Sequence, residues 1–93
     1  MKLNIGIIGY GKMGMMRHKI IKKYSSIASV KMISDPEYIN SNLDSKFVRD
    51  YRKIIKSNEI DVIFICTPNH LNSKITIQAL KNKKHVFCEK PPA

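Results

Sequence analysis

Residues 2–14, Lys-Leu-Asn-Ile-Gly-Ile-Ile-Gly-Tyr-Gly-Lys-Met-Gly, decide how the rest of the chain is read. Lys2 to Ile8 is β-branched and apolar and runs into Gly9, the pattern of a strand buried on both faces in a parallel sheet. From Lys12 to Tyr24 the apolar residues Met13, Met16, Ile20 and Tyr24 recur at helical spacing, with Arg17, Lys19, Lys22 and Lys23 mainly on other faces. This predicts a helix with the apolar stripe turned inward. Gly9, Gly11 and Gly14 therefore fall between a strand and a helix. A lone G-x-G-x-x-G is a weak signal, and a merely structural glycine-rich turn is its alternative. In this setting each glycine has its own role. Gly9 permits the tight turn, Gly11 lets the backbone approach a pyrophosphate, and Gly14 lets the helix pack on the strand. The first helical turn, with Lys12 and Met13, adds unpaired N–H groups and a positive dipole end for phosphates.

Downstream, a second strand is predicted over Ala28 to Ser34. It stops at Asp35-Pro36, where proline cannot extend a ladder and disfavours a helical residue before it. Residues 36–45 are polar and turn-prone and read as a loop with at most one helical turn. Phe47-Val48 reads as a very short edge strand. Asp50 then caps a helix to about Ser57, with Tyr51, Ile54 and Ile55 facing inward. Asp61 introduces the clearest strand, Val62 to Cys66, which ends at Thr67-Pro68-Asn69. The next helix carries Leu71, Ile75 and Ala79 on one face, supported by Ile77 and Leu80, and its Asn82-Lys83-Lys84 end suits a helix C-terminus. His85 to Cys88 is the last strand and delivers Glu89-Lys90-Pro91-Pro92. Strands alternating with helices imply an α/β fold, a Rossmann-type doubly wound parallel sheet of strand order 3-2-1-4-5. Ligands bind such sheets where the winding reverses, here between strands 1 and 4.

Asp35 lies 21 residues beyond Gly14, close to the ~20 expected for the acid that holds an adenosine ribose. Its carboxylate would accept from the ribose hydroxyls and repel a 2′-phosphate. Residues 36–45 contain no Arg or Lys to offset that charge, so NAD is expected over NADP, with Lys46 or a neighbouring loop as the possible exception. Asp35 could equally be a turn residue before proline.

Bulk properties narrow the remaining choices. Ninety-three residues with 43% apolar content suit one domain and exclude two. The longest uninterrupted apolar run, Val62 to Cys66, is far short of the ~20 residues that span a bilayer, so no membrane partner is expected. The net charge of +10 raises the question of nucleic acid, but 14 of the 17 cations are lysines scattered along the chain without interleaved aromatics. No nucleic-acid partner is expected. Cys66 and Cys88 have no metal-type spacing and read as reduced thiols of a cytoplasmic protein, and no metal site is expected. His70, at the start of the fourth-strand helix, could approach a cofactor or simply cap the helix or meet solvent. His18 is expected at the surface or in a domain contact.

The run GIIGYGKMG, the acid in ISDP, the segment IDVIFICTPNHLNSKITIQALKNKKHVFCEKPPA and above all its Glu-Lys-Pro ending resemble the N-terminal domain of the Gfo/Idh/MocA oxidoreductases, named for glucose-fructose oxidoreductase and inositol dehydrogenase. The resemblance covers essentially the whole chain. It implies that Thr67, Pro68 and Asn69 line the central and nicotinamide portion of the cofactor, and that Glu89 and Lys90 sit beside the nicotinamide ribose and substrate. Lys90 is the implied catalytic residue, its ammonium bonding the substrate oxygen during hydride transfer to or from a CH–OH group of a sugar, cyclitol or related small molecule. Lys83 stands where relatives often have glycine, which suggests that the left-handed cap moves to Asn82.

Members of that family continue into a C-terminal α/β domain that binds substrate, supplies an acid/base partner and usually mediates oligomerisation. Residues 1–93 are therefore expected to be the dinucleotide-binding domain without its substrate domain. They would be a fragment or a natural truncation, inactive alone, and prone to form homo-oligomers. A non-catalytic nucleotide sensor is the alternative reading.

Overall fold

A computed structural model describes residues 2–37, 44–67 and 69–88. In chain order the elements are β1 (Leu3–Ile8), α1 (Lys12–Lys22), β2 (Ala28–Ser34), β3 (Lys46–Val48), α2 (Arg52–Lys56), β4 (Val62–Ile65), α3 (Asn69–Lys81) and β5 (His85–Cys88). The five strands form one parallel sheet of order β3-β2-β1-β4-β5, the expected topology. β1 is its centre, and the chain winds outward from it in both directions.

Each face of the sheet has its own core. On one side α1 covers Ile5, Ile7 and Ile33, together with Tyr10, Ile21 and Ala28. On the other, Ile54 and Ile55 of α2 and Ile75 and Ala79 of α3 close over Ile8, Ile63 and Ile65. Isoleucine dominates both cores because a β-branched chain suits the pleat and fills space in one rotamer. Fully burying each one contributes about 1.5–3 kcal/mol. Ile54 docks α2 closely: its Cγ2 lies 2.4 Å from where a Cβ on Gly6 would stand.

Several polar latches set the register. Asn4 N–H donates to Asp61 Oδ2 at 2.9 Å, and Asp61 N–H returns a bond to Asn4 O, so the acid that introduces β4 aligns it beside β1. Asp50 Oδ1 accepts the Arg52 N–H, satisfying a donor at the start of α2, while the Arg52 guanidinium grips the same carboxylate at 2.9 Å. Those bonds hold the Asp50 carboxyl down to about 2. Lys84 Nζ donates to the carbonyls of Ser57 and, at 2.7 Å, Ile60, so this lysine ties down the loop after α2.

Four expectations are corrected. α1 turns Gly14, His18 and Ile21 inward, whereas Met16, Ile20 and Tyr24 of the predicted stripe are exposed. Gly14 must approach the strand, and His18 and Ile21 follow it at helical spacing, so the buried face is rotated by roughly a quarter to a third of a turn from the apolar stripe. His18 is therefore buried and not a surface residue. In α3, Asn72 joins Ile75 and Ala79 on the buried face, and Leu71, Ile77 and Leu80 are exposed. The helix ends with Lys83 at φ 61, not with Asn82. Lys83 N–H donates to Leu80 O and Lys84 N–H to Ala79 O, the paired bonds of a Schellman cap.

Candidate functional site

The C-terminal ends of β1, β2 and β4 bring the glycine turn, Asp35 and Thr67 to one edge of the sheet. Gly9 N–H donates to Ser34 O at 2.8 Å and Cys66 N–H to Ile8 O at 2.8 Å, so the ladder continues one residue past each strand before the chain turns. Gly9 then takes φ +93, and a Cβ there would stand 2.9 Å from the Cys66 carbonyl. Only glycine fits both the conformation and the space. Gly14 lies where α1 crosses the turn, and a Cβ on it would be 2.1 Å from Gly9 O. Gly11 is different. Its Cβ would meet nothing within 4 Å, so this glycine faces open space at the start of the helix.

Gly11 is also the N-cap of α1, with no side-chain cap and no acidic residue in the first turn. The first helical N–H groups, from Lys12 through Gly14, have no carbonyl one turn back to bond, which leaves the helix start electropositive. Lys12 is exposed and Met13 half-buried beside it.

Asp35 follows β2 directly, and backbone bonds fix its carboxylate. Tyr10 N–H donates to Oδ2 at 2.9 Å and Glu37 N–H to Oδ1 at 2.8 Å. One backbone amide on each oxygen fixes the direction in which the carboxylate faces. The same residue that separates Gly9 from Gly11 thus orients the acid. An open backbone at a bare helix start, with an oriented carboxylate tied to it, fits the pyrophosphate and ribose of a dinucleotide.

Thr67 sits after β4, and its hydroxyl donates to the side-chain oxygen of Asn72, which is buried on α3. The Thr67 methyl packs 3.0 Å from the position of a Gly9 Cβ, so the turn after β4 and the glycine turn support one another. His70 is exposed in the first turn of α3. Pro68, the Asn69 side chain, Glu89 and Lys90 lie outside the described residues.

Residues not singled out from the sequence complete the arrangement. Tyr10 is 7% exposed: its hydroxyl is 2.8 Å from His18 Nδ1, and its ring meets Phe47 edge-on at 5.5 Å. Asn72 anchors Thr67. Arg49, just past β3, donates to Pro36 O at 3.3 Å, bringing a cation to the turn that follows Asp35. Gly14 offered a signal for His18, since a glycine forced against the strand fixes which later helical positions are buried. Nothing in local sequence marks Arg49, because only the β2–β3 pairing brings it beside Pro36.

Residues 3–93 match the model of the Gfo/Idh/MocA family, described as an oxidoreductase family with an NAD-binding Rossmann fold. The chain is 37% identical to the uncharacterized oxidoreductase YrbE of Bacillus subtilis (strain 168) over 92% of its own length and 27% of that protein's. It is 33% identical to the 2,7-anhydro-N-acetylneuraminate hydratase of Escherichia coli (strain K12), over 98% of its length and 25% of the relative's. Among solved structures, levoglucosan dehydrogenase in complex with NADH superposes with a TM-score of 0.83 at 30% identity, covering 98% of this chain and 28% of that one. The chain thus spans about a quarter of the length of the curated relatives it matches. Its strand order, glycine turn and full-length match agree, and the chain belongs to the Gfo/Idh/MocA oxidoreductase family as an NAD-binding Rossmann-fold domain.

Proposed function

We propose that this domain binds NAD(H) for an oxidoreductase that transfers hydride between the nicotinamide and a CH–OH group of a sugar, cyclitol or related small molecule. One observation carries the reading: Tyr10 N–H bonds the Asp35 carboxylate, which couples the glycine turn to the residue placed for the ribose. The likeness to a dehydrogenase in complex with NADH supports it. A relative named as a hydratase leaves the net reaction to be established by assay.

In this reading Gly9 and Gly14 shape the turn, Gly11 admits the pyrophosphate, and the N–H groups of Lys12 and Met13 face its charge. Asp35 accepts from the adenosine ribose hydroxyls, and its charge disfavours a 2′-phosphate, so NAD is preferred over NADP. Arg49, whose guanidinium reaches Pro36 O beside Asp35, tempers that preference. The bound nicotinamide supplies the hydride acceptor or donor. Thr67, Pro68 and Asn69 line the middle and nicotinamide end, with His70 at its margin, and Glu89 adjoins the nicotinamide ribose. Lys90 hydrogen-bonds the substrate oxygen and stabilises its alkoxide character as the C–H bond changes hands. An acid/base partner and walls that exclude water come from outside these residues. A cytoplasmic location, suggested by the cysteine usage, and self-association belong to the same proposal.

Fluorescence titration with NADH and NADPH tests the cofactor assignment. Asp35→Ala should weaken NADH binding by about 10- to 100-fold, the loss of a charge-assisted bond, and narrow the preference over NADPH. Unchanged NADH affinity in Asp35→Ala would remove Asp35 from the site.

A further inference from the structure

Tyr10 stands between the two halves of the proposed cofactor site, and its side chain is held from beneath. Its backbone N–H carries Asp35, and Gly11, its next neighbour, opens α1. Below the turn the phenol meets Phe47 from β3 and His18 from α1, and the His18 ring lies 5.8 Å away at 61°. The hydroxyl–Nδ1 contact of 2.8 Å is buried and joins residues eight apart in sequence. A shift of His18 would therefore move Tyr10, and with it both the amide that orients Asp35 and the start of the helix.

We propose that His18 is a positioning residue for the dinucleotide, holding Tyr10 and through it the glycine turn and Asp35, so that protonating the imidazole loosens cofactor binding. The proposal rests on the reading that this turn binds NAD(H).

The chemistry follows from the imidazole's two forms. Neutral, its Nδ1 accepts the phenol proton when the ring hydrogen is on Nε2. Protonated, both ring nitrogens donate, so the Tyr10 hydroxyl must turn around and accept. The added charge lies in a site where His18 is 6% exposed. Lys22 faces it from the next turn of α1. Lys2, before β1, and Asp44, before β3, line the same cleft of about 200 Å³. Two cations against one acid make the surroundings unwelcoming to a further positive charge. Burial first, and Lys22 second, accordingly push the His18 value below the ordinary 6.5. A lowered folded value means that the neutral ring is favoured in the folded state. Its contribution is complete above about 6.5 and is lost as pH falls through the lowered value.

The test is calorimetric titration of the 93-residue chain with NAD+, from pH 8 down to pH 5, above the ordinary range of carboxylate titration. Wild-type affinity should fall by about 3- to 10-fold on acidification, the size of one neutral hydrogen bond. Tyr10→Phe keeps the ring against Phe47 and removes only the hydroxyl. It should bind about 3- to 10-fold more weakly at pH 8 and vary little with pH. His18→Ala should behave alike. His18→Asn, whose amide can bond the phenol without titrating, should recover most of the affinity lost in His18→Ala and be flat in pH. Circular dichroism melts verify that each variant is folded, and Tyr10→Phe carries the test should His18→Ala not fold. Wild type and His18→Asn weakening in parallel on acidification would overturn the proposal, as would full affinity of Tyr10→Phe at pH 8. Failure of folded wild type to bind NAD+ at any pH would overturn the cofactor reading and this one together. Asp35-dependent binding that ignores Tyr10 and His18 would overturn this one alone.

Discussion

Gly11 and Gly14 separate what the turn needs in order to fold from what it needs in order to bind. A methyl on Gly14 would lie 2.1 Å from Gly9 O, and backbone cannot yield as a flexible side chain would. Gly14→Ala should therefore lift α1, cost about 1–3 kcal/mol of stability and weaken NADH binding as well. Gly11 has φ −79 and ψ −158, ordinary extended backbone, with open space around its Cβ direction. Serine there is also a good N-cap, so Gly11→Ser should change stability by no more than about 0.5 kcal/mol. The same side chain would stand where the pyrophosphate approaches, and NADH affinity should fall. Urea unfolding and NADH titration of both variants check the contrast; equal effects on stability would contradict it. The role of each glycine is legible in the sequence because a strand and a helix bracket them. The link from Tyr10 to Asp35 is not, since it joins residues 25 apart through a backbone amide.

At the level of elements, the sequence marks the strands almost to the residue and the helices in place; it phases α2 correctly, with Ile54 and Ile55 buried, but misplaces the buried face of α1 and part of that of α3. Gly9 ends β1, Asp35-Pro36 ends β2, Asp61 precedes β4 and Lys84 precedes β5, and all five strands lie in one sheet, so boundary signals and burial agree. Hydrophobic periodicity alone cannot phase a helix that has two apolar surfaces. The stripe of Met16 and Ile20 on α1, continued by Tyr24 just past its end, is real, but the glycine contact at the helix start settles the phase. In α3 the bond from Thr67 to Asn72 draws a polar residue into the face that Leu71 was expected to occupy. The C-terminus of α3 shows a further cost that spacing does not reveal. Lys83 holds φ 61 as the left-handed residue of the Schellman cap, a conformation that a Cβ makes unfavourable. Lys83→Gly should relieve that strain, offset in part by the greater freedom of glycine in the unfolded chain, for a net gain of about 0.5–1 kcal/mol. The urea midpoint should rise with an unchanged slope. A lower midpoint would mean that the lysine side chain makes a compensating contact.

For the molecule as a whole, the out-of-phase stripe on α1 raises the question of what covers it. Arg17 reaches from that flank of the helix to lie 5.3 Å over the ring of Phe87, and Phe87 stacks on Phe64 with centroids 5.0 Å apart. The exposed side chains of Met16 and Ile20 on α1, of Tyr24 in the turn after it and of Phe87 on β5, an edge strand of the sheet, put apolar surface on the same side of the fold. Exposed apolar surface beside a strand edge favours association, and a second copy of the chain is the partner present in any preparation. The net charge of +10 opposes it, because two copies repel. The two terms respond differently to salt: screening shortens the reach of the repulsion and leaves apolar burial intact. Sedimentation velocity over a range of loading concentrations should therefore show oligomers that strengthen as salt rises, the reverse of an association held by ion pairs. Ile20→Lys and Phe87→Ser should each shift the distribution towards monomer. Ile20→Lys should do so most clearly at low salt, where the added charge acts at full range. A single monomeric species at high concentration in both low and high salt would show that this surface does not bring two copies together.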